Sequence, residues 1–489
     1  MEPAAPAGTE RAGASRTVLA IVLGSLAVRA ALLSVLPPVT DEAYYADWAR
    51  HLAPGYYDHP PAIAWIAAAG LRAIGWTPLG LRAGPLLLQA ATSLLGASLA
   101  GALGGAAAAV AAALLLQAAP VFSLGAALAT PDAPLAFAWV ATLWALERAL
   151  RRGPGWFLAA GAFLGLAALS KLTAGLLGLA VFGGLLSTAR GRRALATPWP
   201  WAGAAIALAV ASPMIRWNAA LGWPSLAYQA HHGLSGGGFS LARLAGSLGA
   251  QAGYVSPVLL LAAVPPAALA LRAPDPARRA IALSALPVIA FFTLSAATTP
   301  GALPHWPAPG WLSASILLAA AGSRWLRAAA ATGLAAIALA LVLLGASAAT
   351  PLPALGPGDD PRGWREAALA ARAAAGGARL ASAHWITHGQ LGFWSGATPA
   401  YLGDRESAPD LYAEGPFRPG EPLLVVTVDR LGPQADALAS WVGPLEPAGT
   451  FVARDRGVLI RTLRFWRAAA PAHPVPGTWA PAIDPIRPR

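Results

Sequence analysis

The chain contains no cysteine, two methionines and, among its 34 basic residues, a single lysine. Without cysteine there can be no disulfide, no thiolate ligand for a metal and no thiol nucleophile. Charge is scarce as well: 11% of the 489 residues are charged and 56% are hydrophobic, with a mean hydropathy of +0.55. A soluble domain could not cover that much apolar surface, so the composition indicates a polytopic membrane protein. The net charge of +12 does not indicate nucleic acid, because the arginines cluster in short loops between apolar runs, where they set membrane orientation.

Apolar runs predict about eleven spans, near residues 17–36, 79–100, 103–122, 132–149, 156–170, 172–188, 200–217, 245–271, 280–297, 307–323 and 327–348. The first run is longer than a signal-peptide core and reads as a span that is retained. Arginines at 11 and 16, 148 to 152, 190 to 193, 272 to 279, and 324 and 327 mark alternate loops, which places those loops in the cytoplasm. Residues 37–78, the turns near 130 and at Lys171, 215–244 and 298–306 then face outward, as does everything after the last span.

The chain changes character near residue 350. A Pro/Gly-rich linker leads to a helical pattern over 364–375 and a strand at 379–383. LLVVTV at 423–428 reads as a buried strand, FVARDRGVLIRTL as a hairpin, and the last twenty residues are proline-rich. The expected architecture is mainly α: a membrane helix bundle over 1–350, followed by a small extracytoplasmic α/β domain over 351–489 with a loose tail.

The polar residues fall almost entirely on the outward face. Residues 41–61, DEAYYADWARHLAPGYYDHPP, hold four carboxylates, two histidines and five aromatics. Ionisable groups beside a bilayer are costly and mark functional sites. For Asp41 and Glu42 the plain alternative is helix capping behind Thr40. That does not account for Asp58 and His59, nor for an amphipathic helix after Pro60 that would lie on the membrane surface. Asp132 in TPDAP could simply open a helix behind Thr130 and Pro131. Lys171 could snorkel, although an arginine would serve that purpose equally well, and a compact ammonium suits a phosphate. Arg216, His231 and His232 lie in 213–238, whose Gly-rich end reads as a lid. His305 and Trp306 precede the tenth span, where Trp306 reads as an interfacial anchor.

In order and at this spacing, DEAYY, GYYDHPP, TPDAP, LSK, RWNAALGW with a downstream HHG, and PHWPAP resemble the bacterial GT-C glycosyltransferases of the protein O-mannosyltransferase and lipid A aminoarabinose transferase superfamily. The resemblance covers residues 17–320 or so and fades over the C-terminal domain. It implies a hexosyl- or pentosyltransferase of the bacterial inner membrane, working on the outer face. Such an enzyme takes a sugar from a polyprenyl-phosphate carrier and passes it, with inversion, to lipid A or lipopolysaccharide, a cell-wall glycan or a protein. No nucleic-acid partner is implied, and the sequence shows no convincing nucleotide-binding loop.

Inverting transfer needs a base for the acceptor hydroxyl and positive charge for the departing phosphate. By resemblance Asp41 is the base, Asp132 a second acid that positions acceptor or sugar, and Glu42 a group that holds the loop or helps bind substrate. Tyr45, Asp58, His59, Lys171, Arg216, His231 and His305 would bind substrate, with Lys171, Arg216 and His59 at the phosphate. His59 stands where some relatives carry lysine, and a neutral imidazole donates only one hydrogen bond. No cofactor is required, although Asp58 with His232 could contribute to a divalent-metal site. The competing class is a transporter or flippase for a lipid-linked sugar, which would place its ionisable groups near the midplane. Arg29, midway along the first span, is the residue that fits that class, either paired with an acid or as a structural buried charge.

Overall fold

The computed structural model describes residues 7–234, 237–349, 358, 360–403 and 418–470. The chain is mostly helical with one small sheet. Among the described residues four helices are each long and apolar enough to cross a membrane: Glu10–Val35, Pro78–Gly104, Pro198–Ala220 and Pro276–Thr298. Three further helix pairs would each make one span if a sharp bend is allowed, giving up to seven in this multi-pass membrane protein.

Several of the eleven expected spans are therefore broken or short. The run at 103–122 becomes Ala106–Ala118 and Pro120–Ala127, bent by 87°, and the run at 245–271 bends by 106° between Val255 and Pro257. Proline at each break lacks the N–H that would continue the ladder. The run at 172–188 ends at Leu186, and a second helix, Ala189–Leu195, leaves at 110°. Here the Thr188 hydroxyl accepts from Gly191 N and starts a new N-terminus. Apolarity alone cannot show such turns.

The chain forms two compact units, each discontinuous in sequence. The first comprises Met1–Leu32, Gly84–Arg216 and Ser225–Leu341. Its core joins Trp139, Leu143, Ile281, Trp311 and Ile316 from different helices. Polar groups inside it are paired: Trp139 Nε1 donates to Ser313 Oγ at 2.9 Å and Trp311 Nε1 to Gln251 Oε1 at 2.8 Å. Helices Trp156–Ala168 and Pro198–Ala220 cross at two glycines, so a Cβ on Gly161 would lie 1.9 Å from the Gly203 carbonyl. Arg29, buried at 5% exposure, donates to Gln117 Oε1 and Gln89 Oε1 at 2.6 Å each. Its partners are neutral amides rather than an acid.

The second unit comprises Leu33–Ala83, Trp217–Pro224 and Val342–Arg489. The last unit boundary falls between Leu341 and Val342, and two earlier segments join the C-terminal part. Strands β1 (Arg379–Ser382), β2 (Ala400–Tyr401), β3 (Pro422–Val428), β4 (Glu446–Asp455) and β5 (Val458–Ala469) form one mixed sheet in the order β2-β1-β3-β5-β4. The expected hairpin is the antiparallel pair β4–β5, and LLVVTV is buried β3. Helices Trp364–Ala375 and Trp385–Ser395 cover the sheet through Trp364, Ala368 and Leu391. The amphipathic helix expected after Pro60 is Ala62–Ile74; Ile63 and Leu71 are core residues, while Ile74 and Trp76 are exposed. The proline-rich tail from 471 lies outside the described residues.

Candidate active site

The loop after the first helix is short and tightly tied. Helix Thr40–Trp48 begins one residue earlier than capping by Thr40 would require. Val39 holds the cap position and its N–H donates to Glu42 Oε2 at 3.0 Å. The Thr40 hydroxyl instead donates to the Gly358 carbonyl at 3.0 Å. Asp41 is exposed on the first turn of this helix, whereas every residue from Glu42 to Trp48 is buried.

Glu42 has no exposed surface and pairs side-on with Arg82, Nε to Oε1 at 2.7 Å and Nη2 to Oε2. Arg82 Nη1 also donates to the Leu33 and Leu36 carbonyls at 2.7 Å each, and Nη2 to Pro37 at 3.0 Å. All five guanidinium N–H groups are used, and the carbonyls left open where helix Ala7–Val35 ends find a cation. The sequence reading placed Arg82 inside an apolar span and missed this role.

Asp58, expected at the substrate, is buried at 4% exposure and accepts from Tyr44 Oη at 3.0 Å. Tyr45 is buried between Trp48, centroids 5.0 Å apart, and half-buried His59, 6.2 Å away. Trp48 stacks on Tyr56 at 4.0 Å, and Tyr56 Oη donates to the His51 carbonyl at 2.8 Å. GYYDHPP is thus a rigid turn folded under helix Thr40–Trp48.

A further pair went unread in the sequence. Asp47 Oδ2 and His388 Nε2 lie 3.4 Å apart, both essentially without exposed surface. Burial would raise the Asp47 carboxyl, but the charge and hydrogen bond of His388, with His51 and Arg50, hold it below the usual carboxylate range. His388 sits in a C-terminal segment, WITHGQ, with no motif to mark it.

In the first unit, Asp132 opens helix Asp132–Arg151, with Pro131 rather than Thr130 at the cap position. Lys171 occupies the turn between helices Trp156–Ala168 and Ala174–Leu186. Its Nζ donates to Asp132 Oδ1 at 2.9 Å and Oδ2 at 3.1 Å, and His305 Nε2 stands 3.9 Å from Oδ2. Three turns far apart in sequence therefore meet. Two of the ammonium's three N–H groups face Asp132, leaving one for a further acceptor. Burial lowers the His305 pKa; Asp132 opposes this and Lys171 reinforces it, and the balance lies below the ordinary histidine value.

Arg216 is exposed near the end of helix Pro198–Ala220, and His231 is exposed on helix Pro224–Leu234, where the reading expected a loop. The side chain of His232 and residues 235 and 236 lie outside the described residues. Among the described residues no group of three His, Asp or Glu side chains could hold a metal ion.

Residues 58–217 match the family model described as dolichyl-phosphate-mannose-protein mannosyltransferase. No curated protein matches the chain. Among solved structures, ArnT from Cupriavidus metallidurans, bound to undecaprenyl phosphate, is similar with a TM-score of 0.62 at 17% identity, over 92% of this chain and 97% of that one. The apo state of the same protein gives the same values. The Archaeoglobus fulgidus oligosaccharyltransferase in complex with zinc and sulfate gives a TM-score of 0.48 at 14% identity, over 80% of this chain and 62% of that one. The chain thus carries that family's pattern across its middle and shares the GT-C fold of ArnT across nearly its whole length.

Proposed function

We propose that the protein is an integral inner-membrane glycosyltransferase that moves a sugar from a polyprenyl-phosphate carrier to an extracytoplasmic acceptor, with inversion at the anomeric carbon. The observation that carries this reading is the Asp132–Lys171–His305 group, in which the chain's single lysine is aimed by an acid with one N–H left for a phosphate oxygen. The match to a dolichyl-phosphate-mannose transferase family and the fold shared with a structure holding undecaprenyl phosphate support a lipid phosphate as the ligand.

Asp41 acts as general base. It is exposed at a helix N-terminus, while Glu42 beside it is committed to Arg82 and positions the loop. The acceptor hydroxyl would lose its proton to Asp41 as its oxygen attacks the anomeric carbon. The bond to the carrier phosphate breaks, and the phosphate leaves as an anion that Lys171 stabilises. Arg29 argues against a transporter, since the neutral amides of Gln117 and Gln89 hold it and no acid among the described residues pairs with it.

The test is Asp41→Asn in cells lacking the native gene, with mass spectrometry of envelope glycans and of the polyprenyl-phosphate pool. Loss of one sugar modification at normal membrane expression, with the sugar accumulating on the carrier, is the expected result. Unchanged product would remove Asp41 as base. A reporter fused after Gly236 should read as non-cytoplasmic, and a cytoplasmic signal would refute the orientation.

A further inference from the structure

Helix Thr40–Trp48 is not held by its own loop alone. The C-terminal helix Trp385–Ser395 lies directly against it, in the same compact unit. At Gly389 the backbones touch: a Cβ there would stand 2.9 Å from Ala43 C and Tyr44 N. Gln390 Nε2 donates to the Pro38 carbonyl at 3.1 Å, and Arg50 Nη2 to the Gly392 carbonyl at 2.9 Å. Tyr44 meets Trp385 edge-on at 5.5 Å. In the middle of this apolar contact sits the Asp47–His388 pair. Among the described residues Asp47 Oδ1 and His388 Nδ1 have no hydrogen-bond partner, so the bond between Oδ2 and Nε2 is the one that joins these side chains.

A buried polar pair is a poor way to gain stability, because apolar residues of the same volume often do as well or better. What it supplies is direction. Asp47 lies six residues after Asp41, about 9 Å along the helix and about 240° around it. A contact that fixes how the buried Asp47 face is rotated therefore fixes where the exposed Asp41 carboxylate points. Misplacement by about 1 Å at a reacting group can reduce rate 100-fold.

We propose that the Asp47–His388 pair is a latch through which the C-terminal α/β part orients the helix bearing Asp41, making His388 a positioning residue for transfer. The catalytic meaning of the latch rests on Asp41 being the base. The Nε2–H of His388 donates to the carboxylate, a role that glutamine, with its amide nitrogen at a similar reach, can share and leucine cannot. Loss of the latch frees the helix to rotate.

The experiment compares wild type with His388→Gln, His388→Leu, Gly389→Ala and Asp41→Asn, in deletion cells and as purified protein in detergent. His388→Leu should form product at least 10-fold more slowly, His388→Gln within 3-fold of wild type, and both should bind undecaprenyl phosphate with wild-type affinity. Hydrogen exchange of amides 43 to 48 should quicken at least 10-fold in His388→Leu and stay near wild type in His388→Gln. Gly389→Ala, which pushes on the same helix without removing the pair, should also slow product formation and covers the case in which His388→Leu fails to fold. An inactive Asp41→Asn beside a fully active His388→Leu overturns the latch and leaves the base reading standing. An active Asp41→Asn overturns the base reading; the latch is then judged on amide exchange alone, and unchanged protection in His388→Leu overturns it.

Discussion

The buried Glu42–Arg82 pair permits a quantitative test. Replacing Arg82 with methionine fills much of the space but leaves a carboxylate with no exposed surface and removes the cation bonded to three backbone carbonyls. Breaking a buried pair by removing one partner costs about 3–5 kcal/mol. The carbonyls of Leu33, Leu36 and Pro37 add about 1–3 kcal/mol for each that water cannot reach. Arg82→Met should therefore destabilise by about 4 kcal/mol or more.

Arg82→Lys keeps the charge but offers three donors in place of five and no planar fork, so an intermediate loss is expected. Glu42→Leu with Arg82→Met removes both charges, and its total cost should fall short of the two single losses added together by about 3 kcal/mol. The assay is equilibrium unfolding of the purified variants in one detergent, followed by tryptophan fluorescence. Two results would refute the reasoning. One is a loss below about 1 kcal/mol for Arg82→Met. The other is additivity within about 0.5 kcal/mol for the double variant, the limit for sites that do not interact.

Lys171→Met should weaken undecaprenyl phosphate binding about 10- to 100-fold, the worth of one charge-assisted bond; equal affinity by microscale thermophoresis would remove Lys171 from the phosphate site. The lowered His305 pKa keeps its ring neutral at pH 7. The unfolded chain then takes up protons first on acidification, so His305 contributes stability that is lost as pH falls through about 6.5, its unfolded value. His305→Asn should flatten that part of the stability curve, and an unchanged curve would disprove the assignment. Gly161→Ala should cost at least about 1–3 kcal/mol, because its methyl has only the Gly203 carbonyl to move against; a neutral result would show that the helices separate easily.

The sequence revealed what periodicity and local chemistry encode. Strand β3 was legible because LLVVTV is continuously apolar between turn residues, and the β4–β5 hairpin because Arg456–Gly457 sits between two β-rich runs. Asp132 and Lys171 were each legible as candidates, but their pairing was not, because 39 residues separate them. Hydropathy hid the helix breaks: Ser256–Pro257 lies within an uninterrupted apolar run, and its bend depends on the missing proline N–H and on packing. Arg82 and His388 were illegible for a different reason. Each is ordinary in its own segment and gains meaning from a partner 40 and 341 residues away.

The four carboxylates of residues 41–61 look alike in sequence, and burial separates them. Glu42, Asp47 and Asp58 are buried and bonded to Arg82, His388 and Tyr44 respectively. For any of these to accept a proton from a substrate, it must first weaken a bond made in a low-dielectric interior, at a cost of about 1.5–3 kcal/mol for a charged partner. His388 also favours the ionised form of Asp47, which makes it a weaker base. Asp41 alone of the four is exposed. The three buried acids thus set the position and angle of a short helix, and the fourth stands where a hydroxyl from solvent or from a glycan can approach it. The argument predicts a graded pattern of failure. Asn at Asp41 should abolish transfer in a fully folded protein, whereas Gln at 42 or Asn at 47 and 58 should cost stability together with rate. A variant at 42, 47 or 58 that lost all activity while retaining wild-type stability would show that the division by burial is wrong.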